Sequence, residues 1–382
     1  MRRLKIILAL LIIFSLPAGL THAQEHAGET AAQEEETEVK LDPGKVVLDH
    51  IIDAHEFHFA TLGNKHFTLP LPIILWSEGK LHTFMSSKFH HGTDAHEGFM
   101  IVNHDMKDRV KASGGDPNKY LLNTIVAVDE NKMPRTDVSV VDLSLTKNAT
   151  QMIVASILLV ILMVSIANKY KREGPDKAPS GIQGWVEPVI TFIRDDVAKP
   201  ALGKRWKTYM PLLLSVFFFI LINALIGMLP GAANPTGNLA FTGVLALISL
   251  VVILFSTNKG FWGHVFWFPG VPIPVKLMML PVELMGIITK PFALMIRLFA
   301  NMVSGHVIIL SFVLLIFIFG AMNTALGFGT SPIFILLAVF IFAIKILVIF
   351  IQAYIFTNLT AVFIGQAFEH EGHHEDGKHQ AH

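Results

Sequence analysis

The chain is predicted to be a mainly α-helical, polytopic membrane protein. It should have five transmembrane helices (the last two long and tilted), one interfacial helix and a small, partly β external N-terminal domain. Three observations predict this. Of 382 residues, 52% are hydrophobic and 16% charged, with a mean hydropathy of +0.53, too apolar for an ordinary soluble domain. Apolar stretches of span length recur from Thr150 onward. Finally, Arg297 is the only formally charged residue between Lys290 and Lys345, where a charge at mid-membrane costs about 3 kcal/mol on insertion scales. Such a group must face a partner, a cavity or another polar surface, which narrows the chain to proteins that move ions.

The elements follow in order. Arg2, Arg3 and Lys5 precede an apolar run, Ile6 to Leu16, and a small-residue exit, Thr21-His22-Ala23. Residues 1–23 therefore read as a secretory signal cleaved after Ala23, with a permanent anchor as the alternative. Residues 24–40 carry Glu34-Glu35-Glu36 and no apolar period, and read as a disordered acidic linker. Residues 41–147 form the external domain. Within it His55–Ala60, His66–Trp76 and Leu81–Phe84 read as strands, and Ser77-Glu78-Gly79-Lys80 as a turn. Pro70 and Pro72 should confine their strand to a sheet edge.

Residues 148–368 read as the membrane domain. Met152–Ala167, Tyr209–Leu229 and Leu239–Phe255 are span candidates. Lys276–Gly320 and Ser331–Phe368 exceed one upright span and should tilt or extend beyond the bilayer. Trp185–Lys199 places Val186, Val189, Ile190 and Ile193 on one face, as an interfacial helix does. Residues 169–207 hold nine lysines and arginines, whereas 230–238 and 320–331 hold none. The first segment should therefore be cytoplasmic and the other two external. Five crossings then put the His-rich tail, residues 369–382, in the cytoplasm of a cell whose inner membrane carries the chain, with the N-terminal domain periplasmic.

Composition also excludes. Net charge is zero and no cysteine is present, which argues against nucleic acid, disulfides and thiolate chemistry. No GxxxxGKS/T loop occurs, so the chain alone should not hydrolyse nucleotide. No cofactor is expected. Attention falls on polar residues inside the last two helices. Asn301 lies one turn beyond Arg297 on the same face, with Glu283 and Lys290 nearly on it. Glu283, 14 residues earlier, would lie about 21 Å toward the cytoplasm. On the antiparallel last helix Gln352 is expected level with Arg297. His306 and Lys345 would lie about 10–14 Å outward of it, His306 roughly opposite Arg297 around its own helix.

Arg297-Leu298-Phe299-Ala300-Asn301-Met302, with Lys290-Pro291 before it and Ile351-Gln352-Ala353-Tyr354 after, closely resembles subunit a of F-type ATP synthases. Met228-Leu229-Pro230, Pro281-Val282-Glu283 and the order of spans fit the same family over about residues 150–368. The signal and long external domain look like the forms from Bacteroidetes-type bacteria. The resemblance implies a proton-conducting stator subunit with two half-channels, coupling proton flow to rotation and ATP synthesis. Its implied partners are the rotor c-ring, subunit b with the peripheral stalk, membrane lipid and protons, with sodium left open. Arg297 would be the essential stator arginine, Gln352 the glutamine beside it, Asn301 the motif asparagine, and Glu283 a carboxylate of the cytoplasmic half-channel. His306 matches forms that exchange the family's outer glutamate and histidine, whereas Lys345 fits neither pattern.

Other readings of these residues remain open. Asn301 and Gln352 also suit plain interhelical hydrogen bonding, His306 a satisfied core histidine, Glu283 a solvated interface residue, and Lys345 a structural or snorkelling role. His50, His55 and His58, or His90, His91 and His96, or the tail histidines offer metal-ligand chemistry without defined spacing. They motivate the alternative of a secondary transporter or metal permease with an external His-rich site.

Overall fold

The computed structural model describes residues 52–62, 65–174, 178–229, 231–256 and 272–366. The expected signal, acidic linker, His50 and histidine tail lie outside these residues. So does most of the Gly/Pro-rich stretch after Gly260.

The N-terminal domain is built from short strands. β1 (Glu56–Leu62) pairs antiparallel with β2 (Lys65–Pro70), and β3 (Pro72–Ser77) lies between β4 (Lys80–Met85) and β7 (Val140–Asp142). β5 (Phe99–Ile101) pairs with β6 (Ile125–Ala127). Alternation fixes the faces: Ile73 and Leu75 are fully buried, while Trp76 points outward. Ile73 and Leu75 form one core with Phe89, Phe99, Ile125 and Ala127. Glu78 and Gly79 both have positive φ, 50° and 76°, the geometry of a two-residue I′ hairpin. α1 (His104–Ala112) is capped by Asn103, whose side chain accepts from the Met106 amide, and buries Met106 and Val110.

Two expectations are corrected. The single strand expected over His66–Trp76 is two strands, broken at Leu71, which turns inward at 5% exposure. Its amide donates to the His55 carbonyl and the Ser86 hydroxyl instead of a ladder partner. Nor is Pro72 on an edge strand, because β3 is the centre of its sheet. Pro72 is the first strand residue and β7 pairs only with Leu75–Ser77, so the missing donor costs no ladder bond there.

The strand β7 runs straight into the membrane part. Leu145 N–H donates to the Pro72 carbonyl, Lys147 N–H to the Ala54 carbonyl, and Asn148 N–H to the Asp53 carboxylate. These bonds tie the domain to the start of α2 (Lys147–Glu173), which Thr146 caps. α2 leaves Ile153, Ile157, Val160, Ile161 and Val164 exposed, a surface stable against hydrocarbon and not against water. α3 (Ile182–Phe192) continues through a π-helical stretch, Ile193–Ala198, and a turn of helix, Lys199–Leu202. Its predicted apolar face is there: Val186 and Ile193 are buried, although against protein, while Trp185 stands 84% exposed.

α4 (Trp206–Ile226) is apolar around its whole circumference. α5 (Leu239–Ser256) packs beside α6 (Ile273–Met322), where Gly243 leaves room for the Met295 sulfur. α6 and α7 (Thr324–Gln366) form a long antiparallel pair of 50 and 43 residues. Their lengths, about 75 and 65 Å, against a hydrocarbon core of about 30 Å, require tilt or extension beyond it. Among the described residues four stretches are long and apolar enough to cross a membrane: Lys147–Glu173, Ile182–Ile226, Ile273–Met322 and Thr324–Gln366. The chain is a multi-pass membrane protein.

Candidate functional site

α6 is unbroken from Ile273 to Met322 despite Pro281 and Pro291. It buries Leu294, Leu298 and Met302 against its neighbours. Residues four apart stack along one stripe, and each successive residue turns by about 100°. Arg297, next to Leu298, therefore leaves the packed stripe, and it is exposed on the flank of the helix pair. Among the described residues it makes no hydrogen bond or ion pair within the chain. A guanidinium has five N–H donors and no acceptor, so among the described residues this surface offers a complete, unspent set of donors.

The neighbouring amides are held. Asn301 Nδ2 donates to Gln352 Oε1 at 2.9 Å across α6 and α7. Gln352 is 2% exposed and its Nε2 has no partner among the described residues. Gln352 thus lies level with Asn301, one turn further toward Met322 than Arg297, which itself lies level with Phe356. This corrects the expected level of Gln352 by one turn. The reason is the register of α6 on α7, which the Lys290 ammonium over the Phe363 ring, 4.9 Å from its centroid, shares.

Toward the Met322 end, Lys345 is buried at 5% exposure. Its stem lies along Gly305: a Cβ there would stand 3.1 Å from the lysine Cδ and Cε. Among the described residues its ammonium has no hydrogen-bond or acidic partner. His306, next to Gly305, is half-buried. Toward the Ile273 end, Lys290 reaches Gln366 at 3.4 Å, and Glu283 is half-buried, about 21 Å along the helix from Arg297. The structure brings Asn301 and Gln352 into contact, keeps Arg297 beside them, and leaves Glu283 and Lys345 on opposite sides of Arg297 along the helices.

Two polar positions escaped the sequence argument. Gln151 Nε2 donates to the Asn223 carbonyl at 3.1 Å, linking α2 to α4, and Asn223 Nδ2 donates back to its own helix at Phe219. Both side chains are buried. Asn223, a polar residue in the last turn of an otherwise apolar span, was the available signal. Nothing in sequence marked Gly305 as the seat of the Lys345 stem.

Histidines of the N-terminal domain hold acids. His55 meets Asp142 at 3.1 Å, His82 meets Glu97 at 2.8 Å, and His90 meets Asp94 at 3.1 Å. Among the described residues no group of three or more histidine, aspartate or glutamate side chains is placed to hold a metal ion, so the proposed ligand sets His55/His58 and His90/His96 do not converge there.

Residues 150–365 match the family described as ATP synthase A chain, and residues 46–137 match a family described only as a domain of unknown function. ATP synthase subunit a of Chloroherpeton thalassium is 40% identical over 247 residues, 64% of this chain and 72% of that protein. The protein of the same name from Chlorobium phaeobacteroides strain BS1 is 38% identical over 252 residues, 65% of this chain and 72% of its own length. That from Anaeromyxobacter dehalogenans is 37% identical over 240 residues, 60% of each chain. With more than half of its length in that match, the chain belongs to the ATP synthase subunit a family.

Proposed function

We propose that this chain is the proton-conducting stator subunit of an F-type ATP synthase, and that Arg297 is the group its rotor carboxylates meet. The observation that carries the reading is Arg297 itself: exposed, without a partner in its own chain among the described residues, and flanked by the exposed Ile296 and Ala300 beside the buried Leu294 and Leu298. A rotor carboxylate crossing lipid is neutral, because ionisation there is costly. Opposite Arg297 the anion is favoured, so the proton leaves into one half-channel. A guanidinium keeps its charge and cannot hand a proton on. The same group therefore separates the two half-channels and prevents a direct leak between them.

The remaining residues take supporting roles. Glu283 lines the cytoplasmic half-channel, and His306 and Lys345 the outer one. Asn301 and Gln352 fix the helix register at which Arg297 meets the rotor. With α5 as a fifth crossing, this reading has the N-terminal domain in the periplasm and the C-terminus in the cytoplasm of a cell with its ATP synthase in the inner membrane. The c-ring faces α6 and α7, and subunit b with the peripheral stalk holds the chain against rotation. Each charge that crosses gains about 2.3 kcal/mol per 100 mV, which drives rotation and ATP synthesis on the catalytic head. Cysteine cross-linking tests the geometry. A cysteine at Ile296 or Ala300, flanking Arg297, should form a disulfide with the rotor helix bearing the carboxylate, whereas cross-linking confined to other subunits would reject the assignment.

A further inference from the structure

The face of α2 and α4 away from α6 and α7 carries a groove that the stator function does not use. Gln151 and Asn223 pin the two antiparallel helices together at one end. From there toward the lysine-rich end they line a groove of about 630 Å³, with Leu159, Val160, Met163 and Val164 on one wall and Met210 and Leu214 on the other. Val160 and Val164 are 60% and 51% exposed. Pro211 lies in the wall, and having no N–H it cannot take the Lys207 carbonyl into the helix ladder.

The groove ends in positive charge. Trp206 and Lys207 close it, with the Lys207 ammonium 5.8 Å from the indole centroid. Lys204 and Arg205 precede them in the chain. Lys207 has no acidic partner among the described residues, unlike Lys199, which bonds Asp195 at 2.6 Å. An apolar trough of this length, closed by an aromatic ring and lysines at the headgroup level, matches one ligand chemistry: acyl chains joined to an anionic headgroup. The volume falls in the range of small-ligand sites, roughly 300–1,000 Å³.

We propose that this groove binds an anionic phospholipid, its chains along α2 and α4 and its phosphate at Lys207. The inference does not rest on the stator role of Arg297. The purified ATP synthase complex, exchanged in detergent into equal phosphatidylglycerol and phosphatidylcholine, should retain phosphatidylglycerol preferentially, as quantified by mass spectrometry. Lys207→Glu should lower that preference by about fivefold or more, the effect of losing one interfacial cation. Val160→Trp, which fills the trough, should release the lipid whatever its headgroup. A photo-reactive side chain at Val160 should label lipid in the wild-type complex, which keeps the test usable should the tryptophan variant fail to assemble. Equal retention of both lipids by the wild type, an unchanged preference in Lys207→Glu, or labelling of a protein subunit from position 160 would overturn the proposal.

Discussion

Asn301 and Gln352 are joined by a hydrogen bond of 2.9 Å between two helices that are otherwise apolar at this level. The bond fixes rotation and register of α6 against α7 together. Arg297, one turn away on the same helix, inherits its position from it. Polar pairs of this kind in lipid are worth about 0.6–2 kcal/mol. The greater penalty comes from removing one partner, which leaves a buried amide unpaired at about 1–3 kcal/mol.

Asn301→Leu should therefore destabilise the complex by about 1–3 kcal/mol, and Asn301→Leu with Gln352→Leu by less than the sum of the single changes. Thermal inactivation of the purified complex across the four variants measures this. Strict additivity would show that the two amides do not act as a pair.

Gly305 seats the Lys345 stem, with an added Cβ 3.1 Å from Cδ and Cε. Gly305→Ala should force the buried lysine aside and cost about 1–3 kcal/mol as overpacking, with slower passive proton flow through the membrane sector. Adding Lys345→Ala removes the clashing stem and should restore stability. Flux and thermal inactivation in the same preparations separate the packing effect from the loss of the lysine.

The N-terminal domain should lose stability in acid through Asp142. Burial raises its carboxyl, but bonds from His55 and from the Ser144 hydroxyl and amide outweigh it and hold the group below 3.8. A depressed folded value means that the contribution is complete above 3.8 and is lost as pH falls through the folded value. Asp142 is partly solvent-exposed, so the contribution is about 1 kcal/mol after screening. Asp142→Asn should lower stability at neutral pH and flatten the acid limb below pH 3.8. Trp76 fluorescence of the purified chain during acid titration reads both effects.

How much of this was legible from sequence depended on the range of the interaction. The hairpin turn at Glu78–Gly79 is local, and the sequence marked it. Arg297 and Asn301 share a face through spacing alone, so their relation was also legible. The break at Leu71 was not, because it depends on bonds to His55 and Ser86 from elsewhere in the domain. The level of Gln352 was set by how α6 packs on α7, and Gly305 beneath Lys345 by the same contact. The Gln151–Asn223 link joins helices 72 residues apart, beyond any periodic signal. Asp142 and His55, 87 residues apart, met for the same reason.

The most direct measurement is ATP synthesis driven by an imposed proton gradient in membrane vesicles carrying Arg297→Gln. The complex should assemble with its full subunit complement, because Arg297 makes no bond within its own chain among the described residues. Synthesis should fall to background, and Arg297→Lys should fail with it, since an ammonium is a more strongly hydrated and more easily neutralised charge. Proton-driven synthesis by assembled Arg297→Gln complexes at the wild-type rate would contradict the account.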